Sequence, residues 1–430
     1  MNHKKKAMGF TLIELLAVII VLAVLALVAT PIIIRIIENS RQNVFKSSVD
    51  GLIRTVQVDA NNNSYTGDFY SIEKGNITNS NGEKIKGKGG SDENGAIILN
   101  KDGEISAVIY NKTWCAKKSS SDKQTTITKY NADTCRTDTL APNLVTTIKN
   151  KNTSGNSEGL FTDNNNNIRY RGSNDEVKNY VTFNHEKWRI VGIIRSHVKL
   201  IREESIGLYA WDSSGTGYKN NWAESSLMRL LNEGYDTEAN SNSLYWNGKS
   251  GKCYTSRKDA YGYGSSALAD CDFTGMELNA KAKSMIQTVT YVFGKPNHSD
   301  YKTGDIYEME LHSSATVTNP SWAGDIIPMY ASDYGYAARS TCSKNLYGFD
   351  EDINCTQGNW LFKGFAEWTA TSFSSSDYEV AAIAEKGNLP GGVTMNYSAS
   401  SLNVRPTLFL KTNVVVIEGT GTKEDPYVLF

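Results

Sequence analysis

The residues best placed to take part in chemistry stand at the start of the chain, around a Gly9-Phe10 junction. Three lysines precede this junction, and an apolar run follows it as far as Ile34, with one acidic residue, Glu14, near its front. Because the polar junction lies before the apolar segment, a peptidase that cut after Gly9 would leave the apolar helix on the mature chain. A secretory signal peptide has the opposite order and loses its apolar core. The order of the two segments therefore favours a membrane helix that stays on the mature chain.

Glu14 is the second residue with an expected chemical role. An acidic side chain inside an apolar membrane segment costs about 2.5–3.5 kcal/mol at the bilayer centre, so it usually marks a function. Glu14 lies near the expected interface, where this cost is lower. The alternative that stays open is a passive acidic residue at the front of an ordinary amino-terminal membrane anchor, with the lysines on the cytoplasmic side.

The heptapeptide Gly9-Phe-Thr-Leu-Ile-Glu-Leu15 resembles the class III signal of type IV pilins, pseudopilins and competence pilins. Pro31 matches a proline that this family also carries in the helix. The resemblance implies that prepilin peptidase removes a leader, residues 1–9, and that the new terminus, Phe10, is N-methylated. It also implies that Glu14 acts in assembly, by pairing with the free amine of Phe10 on a neighbouring subunit.

The same resemblance implies where the protein resides and what it contacts. We expect a precursor that spans the cell membrane once, with a cytoplasmic amino terminus, and that later enters an extracellular filament at the cell surface. Its expected partners are other pilin subunits, which contact the amino-terminal helix, together with prepilin peptidase and the membrane. A host or surface ligand of the large domain is a further expected partner.

The membrane span, about residues 12–34, is expected to continue as an amphipathic helix, so that one helix covers residues 10–60. Beyond the span, apolar residues recur at spacings of four, three and four positions, at Phe45, Val49, Leu52 and Val56. Such a helix would be roughly 75 Å long. Pro31 lacks a backbone donor and is expected to kink the helix or loosen it locally. A membrane span followed by a separate juxtamembrane helix is the alternative.

The fold class that we expect is α+β. After the long helix, we predict a small antiparallel β region over residues 61–148, a polar linker over 149–179 and a larger β-rich domain over 180–430. The 45 basic and 46 acidic residues nearly cancel, and no basic block stands outside the leader, which argues against nucleic acid as a partner. The many Asn, Ser, Thr, Gly and Tyr residues favour short strands and turns.

The six cysteines form three local couples, as expected for an exported head in an oxidising compartment. Nearest-neighbour pairing is favoured by the separations, although other connectivities stay open. The spacing does not match that of a zinc site. The expected disulfide residues are Cys115 with Cys135, Cys253 with Cys271, and Cys342 with Cys355.

Several local patterns predict individual elements. Residues 96–99 and 105–110 flank a turn sequence and predict a hairpin, and residues 188–194 with 198–201 predict a second strand pair. Asn221 and Glu224 have capping-box spacing and predict the start of a short helix. A further helix is expected around residues 282–289. The stretch from Asp163 through the asparagines that follow it is interpreted as part of the polar linker.

The segment 180–430 resembles an uncharacterised domain of surface proteins from low-GC Gram-positive bacteria. The resemblance rests on the strand at Trp188, the helix at Trp222, the Met329–Ala337 segment, Trp360, residues 367–369, residues 405–406 and the closing residues 425–429. It implies an architecture and no activity. Four tryptophans of this segment are expected to be core residues: Trp188, Trp222, Trp360 and Trp368.

We expect no catalytic residues, no cofactor and no metal site, since the usual nucleophile, phosphate-loop and helical metal-binding motifs are missing from the sequence. The acidic triplet Asp350–Asp352 is expected to be solvated. The function that we predict is a structural or adhesive subunit, minor or tip, of a type IV pilus-like or competence or secretion pseudopilus filament. The alternative is a membrane-anchored surface binding protein or enzyme that borrows a pilin-type start.

Overall fold

A computed structural model of the protein describes residues 11–63, 68–79, 82–85, 87, 90–100, 102–137, 140–153, 159–213, 219–235, 243–257, 266–296, 302–311, 320–373, 376–385 and 391–430. The chain divides into two compact units. The smaller consists of residues up to 140 without 80–82, and the larger consists of residues 80–82 and 141–430.

The smaller unit begins with one long helix, α1 (Leu12–Asn63). The helix continues through Pro31, so the alternative of a membrane span followed by a separate helix is wrong. Directly before the proline, the Thr30 hydroxyl donates to the carbonyl oxygen of Ala26 over 2.6 Å. The predicted kink at Pro31 stays a prediction.

The rest of the smaller unit is a seven-stranded antiparallel sheet in the order β3-β2-β1-β4-β5-β6-β7. Its strands are β1 (Asp68–Glu73), β2 (Asn76–Thr78), β3 (Lys84–Ile85), β4 (Asn94–Leu99), β5 (Ile105–Tyr110), β6 (Trp114–Lys118) and β7 (Thr126–Lys129). The predicted hairpin is the β4–β5 pair, which runs in antiparallel register from Asn94 opposite Tyr110 to Leu99 opposite Ile105. Gly103 closes the turn with a φ of 81°, a conformation that glycine adopts without strain.

One face of α1 packs against this sheet and forms the core of the smaller unit. The helix residues that it buries are Phe45, Val49, Leu52, Ile53, Val56 and Ala60. Their sheet partners are mostly aliphatic, and they include Tyr70, Ile72, Ile97, Ile109 and Trp114. The predicted apolar face is therefore confirmed.

The larger unit mixes many short strands with short helices. Its strands are β8 (Leu160–Thr162), β9 (Ile168–Tyr170), β10 (Tyr180–Phe183), β11 (Glu186–Ile194), β12 (His197–Arg202), β13 (Leu208–Tyr209), β14 (Ser250–Arg257), β15 (Ser266–Asp272), β16 (Val289–Val292), β17 (Ser321–Gly324), β18 (Ile326–Ile327), β19 (Glu367–Ser372), β20 (Glu379–Ile383), β21 (Val393–Tyr397), β22 (Leu402–Asn403), β23 (Thr407–Phe409), β24 (Val416–Glu418) and β25 (Tyr427–Leu429). Its α-helices are α2 (Leu144–Thr153), α3 (Ser226–Leu231), α4 (Leu244–Asn247), α5 (Ala280–Met285), α6 (Thr303–Leu311), α7 (Ala331–Ala337) and α8 (Ile353–Thr356), and two 3-10 helices lie at Trp222–Glu224 and Leu346–Glu351.

A nine-stranded mixed sheet is the centre of the larger unit. It follows the order β18-β23-β12-β11-β10-β25-β24, with β9 beside β11 and β8 beside β9. The predicted strand pair is confirmed as β11 and β12, which run antiparallel. Both strands are almost entirely buried, including the side chains of Arg189, Lys199 and Arg202. A five-stranded sheet, β13-β22-β19-β20-β21, and two strand pairs complete the unit.

Two predicted helices are present, but each begins or ends at another residue than predicted. The side chain of Asn221 makes no capping hydrogen bond, and a 3-10 turn follows it. Ser225 is the actual N-cap, since its side chain accepts from the backbone of Met228. The helix expected around 282–289 is α5, which ends at Met285, whereas Val289 begins β16. Local spacing therefore located these helices but not their ends.

The linker predicted over residues 149–179 is wrong. The segment contains the end of α2 and the strands β8 and β9, and the pairing of β9 with β11 makes it part of the nine-stranded sheet. The boundary between the two units lies at Leu140 and Ala141, so the end of the predicted 61–148 region also belongs to the larger unit. Asp163, interpreted as a linker residue, is buried because Arg169 pairs with its carboxylate.

The α+β fold class is confirmed, with one long apolar helix and two β-rich units. The four tryptophans named as core residues are fully buried, at no more than 1 % exposure: Trp188, Trp222, Trp360 and Trp368. Three disulfides join Cys115 to Cys135, Cys253 to Cys271, and Cys342 to Cys355. The first lies in the smaller unit and the other two in the larger.

Candidate assembly site

The first half of α1 carries the largest apolar surface of the described residues. Its large side chains are exposed, whereas the same helix buries one face from Phe45 onward. By length and composition it can cross a membrane. The exposed residues are Leu12, Ile13, Leu15, Leu16, Val18, Ile19, Ile20, Val21, Leu22, Val24, Leu25, Leu27, Val28, Ile32, Ile33, Ile34, Ile36 and Ile37. An exposed apolar surface of this extent marks a site of contact with lipid or with other protein.

Glu14 lies at the beginning of this surface, in the first turn of α1. Its carboxylate accepts hydrogen bonds from the backbone nitrogen and the hydroxyl of Thr11, over 2.9 and 2.8 Å. In return, the Glu14 backbone nitrogen donates to the Thr11 hydroxyl oxygen over 3.3 Å. Thr11 and Glu14 therefore form a reciprocal capping box, which satisfies two helix donors that would otherwise lack partners in the apolar region.

This capping role is not among the predictions from the sequence, although the signal is present there. A threonine followed three residues later by a glutamate, in front of an apolar run, is the capping-box pattern. The finding matters because Glu14 has two separable properties. Its oxygen atoms cap the helix, and its negative charge is available to pair with a cation.

The second half of α1 is attached to the head by polar contacts as well as by its buried face. The Ser48 hydroxyl accepts from the backbone nitrogen of Gly90 over 2.6 Å. Lys129 on β7 forms an ion pair with Glu38, and its Nζ lies 4.1 Å from the centre of the Trp114 ring. The described residues before Glu38 are all exposed, whereas exposed and buried positions are mixed from Glu38 onward.

Two of the other predicted site residues, Gly9 and Phe10, lie outside the described residues, so their roles stay predictions. Within the part of the chain that the structure describes, no group of three or more His, Cys, Asp or Glu side chains is placed to hold a metal ion. In the acidic triplet, Glu351 pairs with Lys344 over 2.6 Å, and Asp352 caps α8 by accepting from the Asn354 nitrogen.

The comparison with known families gives one match. Residues 4–30 match the prokaryotic N-terminal methylation motif. No curated protein and no solved structure is detectably similar to the chain. The match supports a pilin-type start of the chain, and the matched residues include Glu14 and most of the exposed apolar half of α1.

Proposed function

We propose that this protein is a minor or tip subunit of a type IV pilus-like or pseudopilus filament, processed after Gly9, whose larger unit supplies an adhesive or structural head. The observation that carries the proposal is the contrast along α1. Its first half exposes nearly every large apolar side chain, whereas its second half is built into the core of the smaller unit. A helix of this kind is suited to leave lipid and enter a bundle of like helices.

Glu14 supports assembly through its charge. When apolar helices pack together, the terminal amine created at Phe10 leaves a watery interface for apolar surroundings. Burying that ammonium without a partner is costly, and a carboxylate beside it offsets the cost. In a filament with an axial step between subunits, the partner that we propose is Glu14 of a neighbouring subunit.

The size of the larger unit favours a minor or tip position. Its roughly 290 residues imply a radius of gyration of about 19 Å, hence a globe about 50 Å across. Packed helices lie only about 8–10 Å apart. A head of this size at every position would crowd the filament surface, whereas a subunit at the end or at rare positions avoids that conflict.

Antibody labelling of sheared filaments tests this position. An antibody against residues 141–430 should label filament ends or sparse sites. Filaments from a strain that lacks the protein serve as the control for the antibody. Continuous decoration of the shaft would overturn the minor or tip assignment, and label that stays in the cell membrane with none on filaments would favour the anchored surface protein instead.

A further inference from the structure

A buried ion pair connects the central sheet of the larger unit to helix α7. The Lys199 Nζ on β12 donates to the Asp333 Oδ2 over 2.5 Å, and neither side chain is more than 3 % exposed. Arg169 on β9 donates from Nη1 to the other Asp333 oxygen over 3.1 Å and from Nε to Asp163 over 2.6 Å. The two cations and two carboxylates are therefore balanced in charge.

A glycine makes this convergence possible. Gly192 on β11 is paired with Arg169 on one side and with Lys199 on the other. Residues that are directly paired share one face of a sheet. A Cβ atom at Gly192 would lie 2.3 Å from the carbonyl oxygen of Ile168, so glycine allows β9 to approach.

The surroundings of the Lys199 amine are aromatic and closed. Its Nζ lies 4.9 Å from the centre of the Tyr330 ring and 5.6 Å from that of Phe409. Moving an ammonium and a carboxylate into such a site costs several kcal/mol for each ion. Burial lowers the pKa of the Lys199 amine, against the opposing effect of Asp333. The free amine, which is the nucleophilic form, is therefore easier to form here than in an exposed lysine.

A third buried carboxyl lies next to the pair. Glu310 on α6 is fully buried, and its Oε1 accepts from the backbone nitrogen of Ser332, the neighbour of Asp333, over 3.3 Å and from the hydroxyl of Thr371. Burial raises the pKa of Glu310 to about 7, although the hydrogen bonds from Ser332 and Thr371 oppose the shift. A carboxyl that titrates near neutral pH is able both to accept and to return a proton.

We propose that Lys199 and Asp333 condense into an intramolecular isopeptide bond, with Glu310 as the proton carrier. One proton of the Lys199 ammonium first passes to Asp333 Oδ2 within the ion pair. The neutral Nζ then attacks the Asp333 Cγ, so that one N–C bond forms and the bond from Cγ to Oδ2 breaks. Glu310, as a carboxylate, takes the second proton from the nitrogen and returns it to the departing oxygen. The ammonium loses two protons and the carboxylate one oxygen, which together leave as one water molecule, and no oxidant or further reactant is needed.

The product fits the charges that remain. The amide keeps a carbonyl oxygen as the acceptor for Arg169, and Arg169 still pairs with Asp163. Two buried charges disappear and the balance is kept. The bond would close a loop of 134 residues and tie the central sheet to α7. Unlike the disulfides, it would resist reduction.

Mass spectrometry of the full-length, reduced and denatured protein tests the proposal. The mass should be one water molecule lower than the mass expected for the same chain without a cross-link. Trypsin should release peptide 196–202, uncut at Lys199, joined to peptide 303–339, and fragment ions should place the link at Asp333. Fragmentation is needed because the second peptide also contains Glu310, and because dehydration at Asp102-Gly103 would give the same mass.

An exposed pair of the same chemistry is the internal control. Lys252 contacts Asp270 over 2.7 Å, but their side chains are 52 % and 88 % exposed, so that pair should stay uncondensed. Glu310→Gln and Lys199→Met should each restore the full mass, with resistance to protease checked to show that the variant folds. The proposal is overturned if the wild-type protein shows no loss of a water molecule, or if the link lies at another residue. A cross-link that survives Glu310→Gln overturns the role of Glu310.

Discussion

Glu14→Gln should abolish incorporation into surface filaments while leaving the precursor in the membrane. Glutamine serves in a capping box as glutamate does, so the bond to Thr11 is kept and only the charge is lost. Without that charge, the terminal amine of Phe10 enters the helix bundle unpaired. Removing one partner of a buried pair costs about 3–5 kcal/mol, which lowers an association constant by roughly 100-fold or more. Immunoblots of sheared filaments and of membranes measure the effect.

Thr11→Ala is the matched control for the cap. It removes the hydroxyl that contacts Glu14 but keeps the charge, at a cost of about 1 kcal/mol of helix stability. We expect this variant to assemble, as well as to insert in the membrane. If Glu14→Gln assembles like the wild type, charge pairing is not the role of Glu14. If Glu14→Ala fails to assemble whereas Glu14→Gln assembles, Glu14 acts chiefly as a helix cap.

Arg169→Met should be among the most destabilising single changes in the larger unit. The guanidinium is buried between Asp163 and Asp333 and lies 4.2 Å from the centre of the Tyr336 ring. Its loss leaves the Asp163 carboxylate buried with no cation among its described contacts, which costs about 3–5 kcal/mol. This argument is independent of the proposed cross-link, because Asp163 takes no part in it.

Guanidinium unfolding followed by tryptophan fluorescence measures this loss, since seven of the eight tryptophans lie in residues 141–430. The matched control is Arg339→Met. Arg339 also binds a carboxylate, Glu176, over 2.8 Å, but the two side chains are 39 % and 48 % exposed. An exposed pair contributes about 0–1 kcal/mol. Equal effects of the two changes would show that the buried network does not hold the unit together.

The sequence predicted the features that depend on neighbouring residues. The apolar face of α1 follows from local spacing, and the β4–β5 hairpin follows from a turn sequence between two apolar runs. The pairing of β11 with β12 follows in the same way. Each of these elements is determined within about twenty residues, so its pattern can be recognised without knowing the rest of the fold.

The features that the sequence analysis missed depend on residues far apart in the chain. Asp163 stands in a run of asparagines and was interpreted as linker, but it is buried through Arg169, which is itself 164 positions from its second partner, Asp333. Gly192 is one glycine in an apolar strand, and its role appears only when β9 lies beside it. Composition alone could not distinguish these residues from solvated or flexible ones.

The mature amino terminus tests the central claim most directly. Protein sheared from the cell surface should be analysed by intact-mass and terminal fragmentation measurements. We predict that it begins at Phe10, with a methyl group on the terminal amine, and that residues 1–9 are absent. An intact Met1 terminus, or a terminus created by a cut near Thr30, would contradict the account, because either would mean that the apolar helix is not presented as a pilin-type helix.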